Sequence, residues 1–520
     1  MEVARVHDER LERLARRPLT RRAILKGAGA TAAAMTLSRS KIAFAAGQPR
    51  IAIIGAGISG LSAALTLADV GVASTVYESS GRIGGRMFSN TSYWDHGQVS
   101  EWGGELIDTG HATIRALAKR FDLHLDDLHK AEPSGSEETY FVSGHYYPKA
   151  QATLDFKPVH AALKQDTKAA GYPTTFDTST PAGQALDAMS VYDWIESRVP
   201  GGHASPMGLL LDAAYNIEYG ADTRDQSALN IVYLLGFQKP GVFEVFGESD
   251  ERFHIRGGNQ QLPVAIANYL GVGSVVQTGM RMLSIARTSA GAYTLAFSTG
   301  NGTEVVTADM VILTLPFAVL RNLNYAQAGF DANKERAIQK LGRGRNGKLQ
   351  LQFRNRIWNA TGPWPGVATG SSFADTGYQS TWDVTRAQAG NKGILVDYTG
   401  GSTSTAMATQ VAWGTAATPH VTSDAQRFLS QAEPVFPGLS NQWNGKATSS
   451  LPHLDPNLQL SYSFWKVGQY TSIAGYEGKR QNNVFFAGEH TSTDFQGFME
   501  GGASEGVRAA NEVLTSLGKK

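Results

Sequence analysis

The chain has 520 residues, of which 42% are hydrophobic. At about 150 residues a domain, this length allows a large core and two or three domains. The 47 lysines and arginines nearly balance the 46 aspartates and glutamates, so a net charge of +1 gives no reason to expect a nucleic acid or an anionic membrane as partner. Cysteine is absent, which excludes disulfides, cysteine metal ligands and a thiol nucleophile. The composition favours a globular protein that handles small ligands.

Residues 1–46 resemble a twin-arginine export signal. Arg21 and Arg22 precede a weakly apolar stretch rich in alanine and glycine, and Ala43 and Ala45 are small residues at both positions of a cleavage site. An ordinary basic amphipathic helix is the alternative, but it leaves those small residues unexplained. We expect a protein exported by the twin-arginine machinery, periplasmic or secreted. Stable membrane insertion is not expected, because no segment reaches about 18 consecutive apolar residues.

The first stretch after this signal has the pattern of a dinucleotide-binding unit. Ile51 to Ile54 predict a parallel strand buried on both faces. Gly55, Gly57 and Gly60 then form a G-x-G-x-x-G turn that lets a helix N-terminus approach phosphates. Glu78 ends the next strand, where an acid can bind a ribose hydroxyl. A glycine-rich packing turn would leave Glu78 unexplained, and an acid here argues against a 2′-phosphate.

Three glycine-rich stretches resemble the flavin amine oxidase family, which includes monoamine, polyamine and L-amino acid oxidases. They are "GRIGGRMFS" (81–89), "SEWGGELID" (100–108) and "AGEHTSTDFQGFMEGG" (487–502). The resemblance implies FAD as cofactor, held non-covalently since no cysteine is available for a thioether. The residues it assigns to FAD are Gly55, Gly57, Ile58, Ser59, Gly60, Glu78, Ser79, Arg82, Gly85, Arg86, Gly103, Gly104, Glu105, Met282, Gly488, Glu489, Gly497, Phe498 and Met499.

The fold that this resemblance implies is α/β (α+β in its two-domain arrangement). A Rossmann-like FAD-binding domain of the glutathione-reductase and amine-oxidase type is discontinuous in sequence, and the substrate domain combines a mixed sheet with a helical insertion. The residue patterns agree, because strand-like runs are few between the two glycine-rich ends until residue 251. The predicted units are the signal (1–46), three FAD-binding parts (47–115, 251–320 and 451–520), the helical insertion (116–250) and the sheet of the substrate domain (321–450).

The resemblance also predicts four residues that act on the substrate. Lys348, in "NGKLQLQF", matches the family's lysine that holds a water at flavin N5, although strand periodicity alone favours a solvated sheet face. Phe498 and Tyr470 match the two aromatics beside the amine, and Trp465 lies near Tyr470 in the sequence. In such a site the flavin accepts the hydride, and the aromatic walls orient the amine and exclude water. Isolated aromatics would otherwise belong to the core.

Substrate identity is less constrained by the sequence. No arginine follows Gly104 to bind a carboxylate, so Arg256, Lys348 or an arginine of the insertion are the candidates. Asp108 falls near the place where some polyamine oxidases have an acid, but a helix N-cap explains it equally. We expect oxidation of an L-amino acid, with broad specificity, or of a primary amine to an imine, giving a keto acid or aldehyde, ammonia and hydrogen peroxide. A monoamine or polyamine oxidase, an FAD dehydrogenase and a non-catalytic flavoprotein remain alternatives.

The remaining expectations concern partners. The 12 histidines show no ligand spacing, so no metal site is predicted. The expected partners are an amine or amino-acid substrate, oxygen and the export machinery, with no nucleic acid. The oligomeric state stays open, a homodimer included.

Overall fold

A computed structural model describes residues 49–519, so the predicted export signal lies outside the described residues. The strands are β1 (Ile51–Ile54), β2 (Thr75–Tyr77), β3 (Ser89–Asn90), β4 (Ser100–Glu101), β5 (Leu125–Asp127), β6 (Ser136–Val142), β7 (His145–Tyr146), β8 (Phe253–Ile255), β9 (Val276–Gln277), β10 (Arg281–Arg287), β11 (Tyr293–Thr299), β12 (Gly302–Ala308), β13 (Met310–Leu313), β14 (Asn324–Gln327), β15 (Gly342–Arg343), β16 (Gly347–Phe353), β17 (Val367–Ala374), β18 (Ser380–Asp383), β19 (Gly393–Thr399), β20 (Trp413–Thr415), β21 (Trp443–Ser450), β22 (Ser463–Phe464) and β23 (Val484–Phe486).

The α-helices occupy the segments between these strands. They are α1 (Ile58–Asp69), α2 (Ala112–Arg120), α3 (Leu128–Ala131), α4 (Lys149–Ala170), α5 (Pro181–Asp187), α6 (Val191–Arg198), α7 (Pro206–Tyr219), α8 (Leu229–Leu235), α9 (Gln261–Leu270), α10 (Phe317–Leu320), α11 (Ala332–Lys340), α12 (Gly401–Thr405), α13 (Val421–Ala432), α14 (Leu439–Gln442) and α15 (Met499–Ser516).

A five-stranded parallel sheet forms the first layer, in the order β23-β13-β1-β2-β9. Its central strand β1 is buried along its whole length, as expected for a parallel strand covered on both faces. The five strands come from three separate parts of the chain, so this layer is discontinuous in sequence. Helices α1 and α15 pack closely, because a Cβ at Gly506 would lie 2.1 Å from the Ser59 carbonyl oxygen. The predicted fold class is confirmed.

An eight-stranded mixed sheet forms the second domain, in the order β20-β21-β16-β19-β18-β17-β6-β7. Strands β6 and β7 belong to it, although the sequence predicted a helical insertion throughout 116–250. Strand β6 pairs in parallel with β17, more than 200 residues further along the chain, and this long-range partner is invisible to local periodicity. Helices α4 to α8 supply the rest of the insertion and bury Trp194 and Tyr215.

Two local expectations differ from the structure. Helix α2 ends at Arg120, and Leu125–Asp127, inside the insertion predicted to be helical, pairs with β8 instead. The polar face of β16 is not solvated, because Gln350 and Gln352 are fully buried, and Gln350 donates a hydrogen bond to the Glu101 carbonyl. Within residues 49–519, no helix has the length and hydropathy to cross a membrane.

Candidate active site

A large cavity lies where the parallel sheet, the eight-stranded sheet and the helical insertion meet. All the residues predicted for FAD line it except Gly60 and Met282. Gly60 serves packing, since a Cβ there would lie 2.0 Å from the Gly55 carbonyl oxygen. Met282 is buried in the core, where its strand pairs with Phe297. The glycine motifs therefore border one continuous space, together with the catalytic candidates Lys348 and Phe498.

The first glycine turn presents bare backbone to this cavity. Gly55 has a φ of +109°, which side-chain-bearing residues rarely adopt, and a Cβ there would meet Thr314 Oγ1 at 2.6 Å. A Cβ at Gly57, in contrast, would meet no protein atom within 4 Å. Gly57 is the N-cap of α1 and offers no side-chain cap. The first N–H groups of the helix are thus left for a ligand, as in anion sites at helix N-termini.

Two charged side chains flank this turn. Glu78 is buried and accepts a hydrogen bond of 2.8 Å from the Ala56 N–H, which ties the end of β2 to the turn. Arg82 lies 4.0 Å from the ring centre of Phe88. Its Nη1 is buried and has no hydrogen-bond partner within residues 49–519, although it borders the cavity. A buried guanidinium nitrogen without a partner indicates a missing acceptor, such as a phosphate oxygen.

Arg86 and Glu489 link the first and last glycine motifs. Arg86 donates to a Glu489 carboxylate oxygen at 2.8 Å. Glu489 also accepts from the Gly497 N–H at 2.9 Å. Burial alone would raise the pKa of Glu489, but the Arg86 charge and these hydrogen bonds lower it overall. The charged Glu489 side chain therefore holds the Gly497 turn beside the first glycine motif.

The Gly103–Gly104 turn lies between the two motifs. A Cβ at Gly103 would fall 2.0 Å from the Arg86 carbonyl oxygen, and one at Gly104 would lie 2.9 Å from Met499 Sδ. The turn thus contacts the start of α15, whose N-cap Phe498 offers no side-chain cap. Glu500 faces away, because its carboxylate accepts from the Thr113 and Ile114 N–H groups and caps α2 instead.

Lys348 extends from β16 to this turn. Its Nζ donates to Glu105 Oε2 at 2.7 Å and to the Gly103 carbonyl oxygen at 2.8 Å. Glu105 accepts a further hydrogen bond of 2.8 Å from Trp382 Nε1. Lys348, Glu105 and Trp382 all line the cavity. The sequence prediction included both Lys348 and Glu105 in the site, but not the ion pair between them.

Two tyrosines and a phenylalanine form an aromatic wall of the cavity. Tyr462 donates to the Ile217 carbonyl oxygen at 2.8 Å, so the 3.0 Å contact between the hydroxyls of Tyr398 and Tyr462 has Tyr398 as donor. The Tyr462 ring lies beside Gly497, the residue before Phe498. Tyr398, Tyr462 and Phe498 line the cavity together.

The structure corrects two predicted aromatics, since Tyr470 and Trp465 do not line the cavity. The chain turns away after β22, and the Tyr470 hydroxyl donates to Asn230 Oδ1 at 3.0 Å in the helical core. Trp465 packs 4.6 Å from Tyr470 and donates to buried Glu477. Tyr462, eight residues before Tyr470, lines the cavity instead. Tyr462 directly precedes β22, which pairs with β15, whereas Tyr470 follows that strand. The sequence prediction named only Tyr470.

Three further glutamates from distant parts of the sequence line the cavity, and none was predicted. They are Glu138, Glu218 and Glu251. Burial raises the pKa of each: that of Glu251 to about 8, that of Glu218 well above its usual value, and that of Glu138 in the same direction. The three carry no motif, so no sequence signal marks them.

The predicted specificity residues lie elsewhere. Asp108 is not the N-cap of α2, which is His111, and its carboxylate binds the Ser249 hydroxyl and the Glu251 N–H. Arg256 is bound to Asp126 outside the cavity. Neither residue reaches the substrate side of the cavity directly.

The residues present fit a bound flavin dinucleotide. Uncapped N-termini of α1 and α15, an unpartnered Arg82 nitrogen and the open space beside Gly57 supply donors and room for its phosphates and ring carbonyls. When bound, the flavin supplies hydride acceptance. The fold and site thus define a dinucleotide-dependent oxidoreductase.

The comparisons with known proteins give the family. The flavin containing amine oxidoreductase model matches residues 58–514, so the chain belongs to that family and is an enzyme. It is 25% identical to polyamine oxidase 2 of Arabidopsis thaliana, over 89% of this chain and 88% of the relative. It is 22% identical to the L-amino-acid oxidase of Vipera ammodytes ammodytes, over 92% and 95%. The structure of cyclohexylamine oxidase from Brevibacterium oxydans IH-35A shares the fold, with a TM-score of 0.75 and 21% identity over 91% of this chain and all of that one.

Proposed function

We propose that the protein is an oxidase with non-covalent FAD whose substrate is an amine without a carboxylate beside the reacting nitrogen. The amine becomes an imine, which water hydrolyses to an aldehyde and ammonia, and oxygen takes the electrons to give hydrogen peroxide. The observation that carries this proposal is the charge of the residues that line the cavity.

Two of the three cations that line the cavity are paired with carboxylates of the protein. Arg86 is paired with Glu489 and Lys348 with Glu105, while the unpaired Arg82 lies in the glycine turns where the phosphates fit. With phosphates at Arg82, no lining cation among residues 49–519 is left to bind a substrate carboxylate beside Glu138, Glu218 and Glu251. Burying such an unpaired charge costs several kcal/mol, typically about 3 or more.

The chain's own residues orient the amine. Tyr462 and Phe498 line the cavity, and the hydrogen bonds from Tyr398 to Tyr462 and from Tyr462 to Ile217 fix the tyrosine rotamer. Aromatic walls exclude water, which favours the neutral amine over the ammonium at the reacting end. Lys348 stays anchored at the Gly103 turn, where it holds a donor beside the flavin position.

An L-amino acid oxidase, favoured in the sequence analysis, is the second candidate. Proteins with that name are among the relatives, at 22% identity. To bind the substrate carboxylate, such an enzyme would require Lys348 to leave Glu105, or an arginine from outside the cavity to move into it.

The test is a matched pair of substrates. Pentylamine and L-norleucine share a carbon chain and differ by the α-carboxylate. With purified holoprotein under nitrogen, we expect pentylamine to bleach the flavin absorbance and L-norleucine to bleach it at least about 100-fold more slowly. Faster bleaching by L-norleucine would establish the second candidate, and a bound flavin that neither compound reduces would contradict both.

We also propose export by the twin-arginine route, supported by the pattern of residues 1–46. Replacement of both Arg21 and Arg22 by lysine should retain the protein in the cytoplasm of an expressing bacterium. A processed protein in the periplasm despite this change would contradict the proposal.

A further inference from the structure

Helices α2 and α15 begin next to each other beside the cavity. Phe498, the N-cap of α15, lines the cavity, and His111 is the N-cap of α2. Glu500, in the first turn of α15, is fully buried and accepts hydrogen bonds of 2.9 Å from the Thr113 and Ile114 N–H groups. A carboxylate of α15 thus caps α2, which fixes the two helix starts against each other.

The His111 ring packs against the Phe498 ring. His111 is 1% exposed, and the two ring centres lie 5.3 Å apart at an interplanar angle of 64°. The Phe495 ring lies 5.7 Å from His111 at an angle of 81°. Edge-to-face pairs at such distances attract each other beyond their burial. Because Phe498 lines the cavity and His111 does not, His111 contacts Phe498 from the protein side.

Phe495 and Phe498 are the two ends of one turn. The Phe498 N–H donates to the Phe495 carbonyl oxygen at 3.3 Å, and Glu489 accepts from the Gly497 N–H between them. These bonds fix the backbone of the turn but leave the side-chain rotamer of Phe498 undetermined. The ring of His111 contacts the aromatic side chains at both ends of the turn, so it restricts the orientation that the backbone bonds leave free.

Asp108 holds the His111 ring in one orientation. His111 Nδ1 accepts a hydrogen bond of 3.0 Å from the Asp108 N–H, and Nε2 lies 3.3 Å from the Asp108 carboxylate. Because a backbone N–H only donates, the proton of the neutral ring is on Nε2. Burial lowers the pKa of His111, although the charges of Asp108 and Glu500 oppose this effect. The ring is thus a neutral group that is held at both nitrogens.

Helix capping does not explain this histidine. The His111 side chain makes no capping hydrogen bond to α2, since Glu500 accepts from the N–H groups of its first turn. Asparagine, serine and aspartate are also the preferred residues at an N-cap. What distinguishes His111 from these residues is its ring, and the ring lies against Phe498.

We infer that His111 is a positioning residue, which holds the Phe498 ring in the orientation that places the amine for oxidation. This inference rests on the proposed function and deepens it, because it names a residue that acts on the substrate through the aromatic wall. Reaction rates depend steeply on the placement of the reacting atoms, so a loosened wall ring slows the reduction of the flavin. The effect of His111 therefore requires Phe498 to be present.

The experiment is a double-mutant cycle on the holoprotein. His111→Asn offers an oxygen acceptor in place of Nδ1, suits an N-cap and removes the ring. Under nitrogen, with saturating pentylamine, we expect the rate constant of flavin reduction to fall about tenfold in His111→Asn. In a Phe498→Ala background, the same substitution should change the rate by less than about twofold.

Two further variants separate positioning from a structural role. His111→Phe keeps a ring but has no acceptor for the Asp108 N–H, so it should lower the melting temperature and keep the reduction rate within about threefold of the wild type. His160→Asn is the matched control, because His160 also contacts a phenylalanine ring and a backbone group but does not line the cavity. It should reduce at the wild-type rate.

The outcomes separate this inference from the proposed function. A flavin-containing His111→Asn that reduces at the wild-type rate overturns the positioning role, as does an equal loss of rate with and without Phe498. If His111→Asn purifies without flavin, His111→Gln gives the same comparison in both backgrounds. Failure of pentylamine to reduce the wild-type flavin overturns the proposed function itself.

Discussion

In the proposed function, the cavity offers its two ligands different kinds of groups. The part proposed for the dinucleotide, the dinucleotide end, consists of backbone at the glycine turns Gly55–Gly57 and Gly103–Gly104 and at the uncapped starts of α1 and α15. The part proposed for the amine, the amine end, consists of side chains, namely Tyr462, Phe498 and the glutamates described above. Backbone recognition requires short contiguous motifs, whereas side chains can come from any element that folds to the right place. The sequence therefore predicts the first end, whereas of the residues named for the second end it predicts only Phe498.

The largest effect is expected when a side chain fills the open space beside the Gly57 backbone. Gly57→Leu places a side chain in the cavity without a clash in the protein, because a Cβ there meets no atom within 4 Å. We expect this variant to fold but to purify without flavin. The flavin content is measured as the absorbance at about 450 nm, the usual flavin band, relative to the protein concentration. Gly300→Leu is the matched control, since Gly300 has the same open surroundings away from the cavity. Full flavin content in Gly57→Leu would refute backbone recognition.

Lys348 joins the two ends, so its removal should affect both stability and rate. Lys348→Met leaves the Glu105 carboxylate buried and unpaired, at an expected cost of about 3 kcal/mol in the free energy of unfolding. We also expect kcat/KM to fall about 100-fold. Adding Glu105→Gln should restore most of the stability but not the rate. Denaturant titration and steady-state kinetics measure the two effects, and a rate restored along with stability would show that Lys348 serves only to pair the charge.

Two substitutions test whether Tyr462, rather than Tyr470, belongs to the site, and their expected effects are smaller. Tyr462→Phe removes the hydroxyl that bonds Ile217 and Tyr398 in the cavity wall, and we expect kcat/KM for amines to fall about tenfold. Tyr470→Phe removes one core hydrogen bond to Asn230 and should cost about 1 kcal/mol of stability without changing the kinetics. The reverse pattern would restore Tyr470 to the site.

The smallest expected effect is the contribution of Glu251 to the pH dependence of stability. The pKa of Glu251 is about 8 in the folded protein, above its usual value near 4.5, because of burial and the neighbouring Asp108, with Arg386 in opposition. The folded state therefore binds more protons than the unfolded state between these values, and stability falls as the pH rises from about 4.5 to 8. Glu251→Gln removes this loss, so its melting temperature should exceed that of the wild type by a few degrees above pH 8 and match it near pH 4.5. A constant difference across this range would contradict the assignment.

The sequence predicted the elements that depend on local patterns. The strand–turn–helix unit at Ile51–Asp69, the glycine turns and Lys348 were all found from contiguous motifs. The prediction of Tyr470 was wrong because it rested on a local motif match, whereas Tyr462, on the other side of β22, is the residue of this segment that lines the cavity. Strands β6 and β7 were missed because their partner β17 is distant in sequence.

The glutamates of the amine end are a second case that local sequence patterns do not predict. Glu218 lies in a helix and Glu251 in a loop, and each resembles an ordinary solvated residue until tertiary packing encloses it. Burial is what marks them, and burial is a property of the fold.

The central claim is that the amine end binds cations and rejects a carboxylate. Cadaverine and L-lysine test it most directly, since they share a chain with two amino groups and differ only by the α-carboxylate. In anaerobic titrations of the holoprotein, we predict that cadaverine bleaches the flavin and that L-lysine does so at least about 100-fold more slowly. Bleaching by L-lysine at an equal or greater rate would contradict the account, because the cavity would then accept the carboxylate beside its glutamates.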